Sequence, residues 1–130
     1  MNREIEFRGF DGTKLYYGDL EYNRKNDIAR IYTYKEDGSY DKQYAVDPDT
    51  VGQFTGLCDK NGVKIFEGDV LYVDVFGCCD NDKRYKVVVE WVGTEFVGVD
   101  VNPDGSVWNL DWLLDQDDEI EVIGNIYDAK

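Results

Sequence analysis

The residues best equipped for chemistry are carboxylates: 28 Asp and Glu stand against 14 Lys and Arg, with no histidine, for a formal net charge of −14. Residues 100–111 put Asp100, Asn102 and Asp104 at the first, third and fifth places of a loop, Gly105 at the sixth and Asp111 at the twelfth. That is most of a calcium loop, where hard oxygen ligands converge on the cation and glycine makes the sharp turn. Two features weigh against it. The twelfth place normally holds Glu, whose longer side chain offers both oxygens, and residues 95–99 read as strand, not as an entering helix. Asn102-Pro103-Asp104-Gly105 is also fully explained as a turn that closes a hairpin. The densest acidic run, Asp115, Asp117, Asp118, Glu119 and Glu121, is expected to be a solvated face. A cation site there would need those carboxylates to converge in space. No metal ligand is assigned.

Paired carboxylates can act as acid and base, as in glycoside hydrolysis, but among so many acids a pair carries no information. The absence of histidine removes Ser-His-Asp and Cys-His nucleophile systems. No Gly-Lys-Ser/Thr phosphate cradle is present. Cys58, Cys78 and Cys79 form no Cys-x-x-Cys pair and have no histidine to complete a zinc site. The acids beside Cys78 and Cys79 disfavour a thiolate, so unpaired reduced thiols in a cytosol are expected. No catalytic residue and no cofactor are assigned.

The charge is unevenly spread. Residues 87–129 hold eleven acids and no Lys or Arg, whereas residues 1–86 hold seventeen acids and thirteen bases. Such a field keeps a protein dispersed and repels a polyanion, so direct nucleic-acid binding is not expected. Arg24-Lys25 and Lys83-Arg84/Lys86 are the basic clusters, and both are set among acids. The other surface chemistry is aromatic. Of ten tyrosines, Tyr16, Tyr17, Tyr22, Tyr32, Tyr34, Tyr40 and Tyr44 crowd the first third. Tyrosines so placed suit cross-strand pairing, a protein interface or a stacking platform.

The elements that must carry these groups are strands. Ile28, Arg30, Tyr32 and Tyr34 alternate with Ala29, Ile31 and Thr33; after Asp37-Gly38 the alternation resumes through Tyr40, Lys42, Tyr44 and Val46. Period two on both sides of an Asp-Gly reversal predicts a β-hairpin. Asp11-Gly12, Asn61-Gly62 and Gly93-Thr94 punctuate further runs rich in β-branched and aromatic residues. About ten short strands are predicted. Helix is confined to a capped turn at Asp47-Pro48-Asp49-Thr50 and to Leu110–Gln116. No apolar run reaches membrane length and no secretory leader is visible.

Three segments carry a family likeness. The chain opens with Arg3-Glu4-Ile5-Glu6-Phe7-Arg8 and Phe10-Asp11. The most specific segment holds Thr50, Val51, Gly52, Gln53, Phe54, Thr55, Gly56 and Leu57, then Asp59 to Gly62, then Ile65 and Glu67, Gly68 and Asp69. Glu121 and Val122 lead into the closing Ile123, Gly124, Asn125, Ile126 and Tyr127. Together they resemble the YopX-like family, whose members are carried by phages and prophages and have no established activity. Residues 74–118 depart from the family pattern. From the residue types alone, the signature glycines read as backbone-geometry positions, Phe54, Leu57, Ile65 and Phe66 as core, and Thr50, Gln53, Thr55 and Asp59 as turn hydrogen bonders. A binding groove built on these residues is the competing reading.

The expected fold is mainly β: one domain over residues 1–130, of short antiparallel strands and hairpins with little helix. A subdivision is expected between N-terminal hairpins (1–47) and a small barrel-like, SH3-like part (48–130). The expected function is that of a non-catalytic accessory protein, cytoplasmic in a bacterial host, that contacts itself or a host protein. An acidic nucleic-acid mimic is the alternative, and a carboxylate hydrolase a third. Neither membrane nor direct nucleic-acid contact is expected.

Overall fold

The computed structural model describes residues 5–74, 84–101, 106–116 and 120–127. Backbone contacts divide the chain into two units, residues 1–54 and 55–130.

In the first unit, Asp-Gly and Asn-rich reversals set the strand ends. Strands β1 (Phe7–Phe10), β2 (Leu15–Asn23), β3 (Ile28–Tyr34) and β4 (Tyr40–Val46) follow one another as antiparallel neighbours, and the start of β5 (Gly52–Cys58) pairs with β1. The Asp11 carboxylate accepts from the Thr13 and Lys14 N–H groups, each at 2.7 Å. Asp37 does the same for the Ser39 N–H at 2.9 Å and the Ser39 hydroxyl at 2.6 Å. A 3-10 turn at Pro48–Thr50, capped by Asp47, links β4 to β5. Ala29, Ile31 and Val46 are buried, with Phe7, Tyr16, Leu20 and Val51 packed around them. The opposite face of β3, with Arg30, Tyr32 and Tyr34, is turned away from this core.

In the second unit, the rest of β5 is followed by β6 (Lys64–Phe66), which is its neighbour in the sheet. A five-stranded antiparallel sheet comprises β7 (Asp69–Asp74), β8 (Arg84–Val92), β9 (Glu95–Asp100), β10 (Val107–Asn109) and β11 (Glu121–Asn125), in the order β10-β9-β8-β7-β11. The helix α1 (Leu110–Gln116) follows β10 directly, and Asn109 caps it by accepting from the Trp112 N–H at 2.9 Å. Ile65, Leu71, Val73, Val87, Val89, Leu110, Leu113 and Ile120 form one core. Gly98 has a specific part in it. A Cβ there would lie 2.9 Å from Leu113 Cδ1 and 3.0 Å from Val87 Cγ2, so a larger residue would push one of those side chains aside where α1 meets β9.

The all-antiparallel, mainly β class and the short helix follow the sequence expectation. The expected barrel-like part is an open sheet instead, because β10 and β11 are its two edges and no pairing joins them. Among the described residues, no helix is long and apolar enough to cross a membrane.

Candidate functional site

The signature segment is largely consumed in holding the backbone. Thr50 Oγ1 accepts from the Phe10 N–H at 2.9 Å and lies 2.7 Å from the Asp47 carbonyl, to which it donates. Val51 packs on the first core and Gly52 is buried opposite Arg8 of β1. Gln53 pairs with Phe7 and Phe54 is buried. Buried Thr55 accepts from the Leu57 N–H at 3.2 Å across Gly56, whose φ is +88°. Leu57 packs on the second core, of which Ile65 is a fully buried member.

Asp59 makes three such bonds. Its Oδ1 accepts from Asn61 N–H at 2.8 Å and Val63 N–H at 2.9 Å, and its Oδ2 from Val122 N–H at 2.9 Å. One buried carboxylate thus closes the turn between β5 and β6 and ties it to β11. Gly62, at φ +79°, supplies the left-handed residue this turn requires. Buried Asp69 accepts from the Phe66 N–H at 2.8 Å and closes the next turn around Glu67 and Gly68. Ile123 is exposed, and the β7–β11 register shifts between Val122 and Gly124. Asn125 accepts from the Tyr127 N–H at 2.8 Å.

The described carboxylates among those singled out for metal chemistry do not gather as one ligand set. Asp100 ends β9 and is buried, while Asp111 is exposed in the first turn of α1. Residues 102–105 of the calcium-like loop lie outside the described residues, as do Asp117, Asp118 and Glu119. Asp115 is exposed on α1, one turn from Asp111. Glu121 is engaged with Lys60 at 3.7 Å and Asn61 at 3.4 Å. Among the described residues, no three His, Cys, Asp or Glu side chains group as metal ligands would. Cys58 is an exposed thiol; Cys78 and Cys79 lie outside the described residues.

A hollow of about 340 Å³ in the first unit brings Tyr22, Asp27 and Asp49 over an apolar floor of Leu20, Pro48 and Val51. The Tyr22 hydroxyl donates to Asp27 Oδ1 at 2.8 Å. That bond, followed by burial, pushes the Tyr22 pKa above its ordinary value of 10.0, so the phenol is a neutral donor at neutral pH and no base.

Two surfaces stand out for recognition. The first is the outer face of β2, β3 and β4. Tyr17, Tyr34 and Tyr40 are 43%, 50% and 52% exposed there, with Tyr32 half-buried among them. The Tyr32 and Tyr40 rings lie 6.0 Å apart at 55°. The Tyr32 hydroxyl donates to Glu21 at 3.1 Å, and Arg30 reaches the same carboxylate at 3.4 Å. Burial and the neighbouring acid push Tyr32 and Tyr34 above the ordinary tyrosine pKa. Tyr16, by contrast, stacks on Tyr44 at 3.9 Å on the inner face.

The second surface is an open groove of about 450 Å³ at the start of β7. It is lined by Glu67 and Gly68, by Glu90 and Trp91 of β8, and by Ile126 and Tyr127 just past β11. The Gly68 N–H donates to the Val89 carbonyl at 2.8 Å, and the Gly68 carbonyl accepts from the Ile126 N–H at 2.9 Å. Those two bonds bring the central and closing signature segments together. Trp91 is half exposed, and its ring meets Phe96 edge-on at 4.7 Å. Trp91 and Glu90 lie outside the three segments on which the sequence resemblance rests, and no local motif announced them.

An all-β chain with two antiparallel sheets, turn-holding carboxylates and two aromatic surfaces is the class of protein defined here. The chain belongs to the YopX family: the family model, described as YopX protein, matches residues 6–129. Among solved structures, the crystal structure of protein EF1440 from Enterococcus faecalis is similar, with a TM-score of 0.63 over 97% of this chain and 95% of that one. At 20% identity the likeness is one of fold. Comparison with curated proteins finds no match.

Proposed function

We propose that this YopX-family chain is a non-catalytic phage or prophage accessory protein that works in the bacterial cytoplasm by self-association through its first unit. The outer tyrosine face carries the reading. Tyrosine gives a large apolar contact with a polar tip and little conformational freedom to lose, which is why interfaces are enriched in it. Residues 1–54 hold eleven acids and eight bases, a net of −3, so two copies meet here with little repulsion. β4 is a sheet edge seven residues long, beside Tyr34 and Tyr40. An edge of that length offers backbone groups to a second strand.

Light scattering on the eluting protein tests the proposal. A dimer or larger assembly is expected, and Tyr17→Ser with Tyr34→Ser should return it to monomer with the circular dichroism spectrum unchanged. A strict monomer at the highest attainable concentration would defeat self-association.

The alternative, an acidic mimic that occupies a nucleic-acid-binding protein, has in its favour the base-free 87–129 stretch and the exposed Asp111 and Asp115 one turn apart on α1. Failure to compete with duplex DNA for any host DNA-binding protein would remove it.

A further inference from the structure

We propose that the outer face of the second unit's five-stranded sheet is a docking surface for a basic amphipathic helix of a protein partner. It belongs to a different unit from the tyrosine face and does not depend on that face self-associating.

Strand register builds the surface. Leu71 and Val73 of β7 and Val87 and Val89 of β8 join the core, where Ile65 of β6 and Leu113 of α1 meet them. Val70 and Val88, each one residue along, therefore leave the opposite face. Val70 pairs with Val88, Val88 with Val99, and Val99 with Val107, so four valines stand in one line across β7, β8, β9 and β10. Val70, Val88 and Val99 are half-buried and Val107 is exposed. On one side of this line Glu90 pairs with Val97, which is buried, and beyond it exposed Val92 pairs with Glu95. On the other side Tyr72 pairs with Lys86. An antiparallel sheet with one face in water ordinarily turns polar side chains outward. Strand propensity accounts for single valines, but not for an unbroken line of them on the outer face.

Shape and charge define the occupant. Four strands about 4.8 Å apart give a line of about 14 Å, the length of about ten helical residues. The backbone groups along the line are taken up in the strand ladders. A segment lying on the face gains no backbone hydrogen bonds from it and has to satisfy its own, as a helix does. The apolar stripe of that helix meets the valines. Exposed Glu90 and Glu95 then face its flank, and neutral Asn109, which donates to Glu95 at 3.0 Å, leaves that charge uncancelled. Residues 55–130 hold seventeen acids and six bases, a net of −11. Such a field draws in a basic segment and repels an acidic one or a second copy of the same face. The partner's helix thus carries Leu or Ile along one stripe and Lys or Arg beside it.

Fluorescence anisotropy with the full chain and labelled peptides of about 14 residues is the test. One peptide has a leucine stripe flanked by lysines, one the same stripe flanked by glutamates, and one the lysine composition scrambled so that no stripe forms. The lysine-flanked peptide should bind, and each of the others about tenfold more weakly. Val88→Thr with Val99→Thr keeps strand propensity, makes the line polar, and should weaken binding by about fivefold. Val107→Thr, at an exposed edge position, should weaken it by about twofold and keeps the test valid if the double variant impairs folding. Glu90→Gln with Glu95→Gln should weaken it by about threefold. Asp111→Asn with Asp115→Asn removes the same charge on α1, which packs on the opposite face, and should change it by less than about 1.5-fold.

Any of four results would overturn the proposal: no binding of the lysine-flanked peptide, a scrambled or glutamate-flanked peptide binding as tightly, valine variants without effect, or the Asp111/Asp115 pair weakening binding as much as the Glu90/Glu95 pair. Light scattering in which Val88→Thr with Val99→Thr disperses an assembly would give the face to a second copy instead. Tyr17→Ser with Tyr34→Ser should leave the anisotropy titration unchanged, which separates this outcome from that of self-association.

Discussion

The two units solve the same problem with different materials. Among the described residues of 1–54, three buried side chains, Ala29, Ile31 and Val46, form the core cluster, and the aromatic residues cover both faces of the sheet. In residues 55–130, eight buried aliphatic side chains form the cluster, and Trp91 is left half exposed at a groove. Net charge follows the same division, −3 against −11. A thin core under a tyrosine sheet suits flat, near-neutral contact. A thick aliphatic core frees the periphery to carry strong charge, because burial rather than surface pairing supplies the stability.

The largest expected effect tests the turn chemistry of the second unit. Asp59→Ala strands the N–H groups of Asn61, Val63 and Val122, and should cost about 3–4 kcal/mol in urea unfolding. Ile31→Ala and Leu71→Ala compare the cores directly. Both residues are fully buried, and each truncation should cost about 2–4 kcal/mol. If the units are cooperative blocks, hydrogen exchange should accelerate within 1–54 for the first and within 55–130 for the second. Acceleration across the whole chain in both variants would erase the distinction. Gly98→Ala should cost about 1–3 kcal/mol by pushing Leu113 off β9.

Titration should sharpen the contrast. Tyr16, Tyr22, Tyr32 and Tyr34 all have folded pKa values above the ordinary 10.0, chiefly through burial, or for Tyr22 through its bond to Asp27. Their neutral forms are favoured in the fold, so the stability they contribute is complete below pH 10 and is lost as pH rises through the raised values. Asp11 and Asp37 run the other way. Hydrogen bonds from Thr13, Lys14 and Ser39 hold them below the ordinary 3.8, so their contribution is present above that value and disappears as pH falls through the lowered pKa. Both limits should appear in the exchange rates of the first unit. The smallest effect expected is Glu21→Gln. It weakens an exposed contact with Arg30 and Tyr32 and should cost about 0.5 kcal/mol in the same unfolding measurement.

Much of the fold could be read locally. Asp37-Gly38 and Asn61-Gly62 declare reversals because glycine reaches positive φ freely and a neighbouring carboxylate can satisfy the loop N–H groups, here those of Asp37 and Asp59. The alternation of 28–34 and 40–46 therefore marked both strands, and Leu110–Gln116 marked its helix. Local pattern stopped where the two faces of a strand were equally apolar. Tyr32 and Ile31 are both plausible core residues, and only the register of β2, β3 and β4 turned Ile31 inward and Tyr32 toward solvent.

The amino-acid order by itself thus determined the strand class, the turns and the charge division, since these rest on conformational preferences and charges that each residue carries wherever it sits. Tertiary structure decided that the second sheet stays open, that Gly98 lies close against Leu113 of α1, and that Glu67, Glu90, Trp91 and Ile126 line one groove. Those outcomes depend on hydrogen bonds such as Gly68 to Val89 and Ile126 to Gly68, which join residues far apart in sequence and have no local signature.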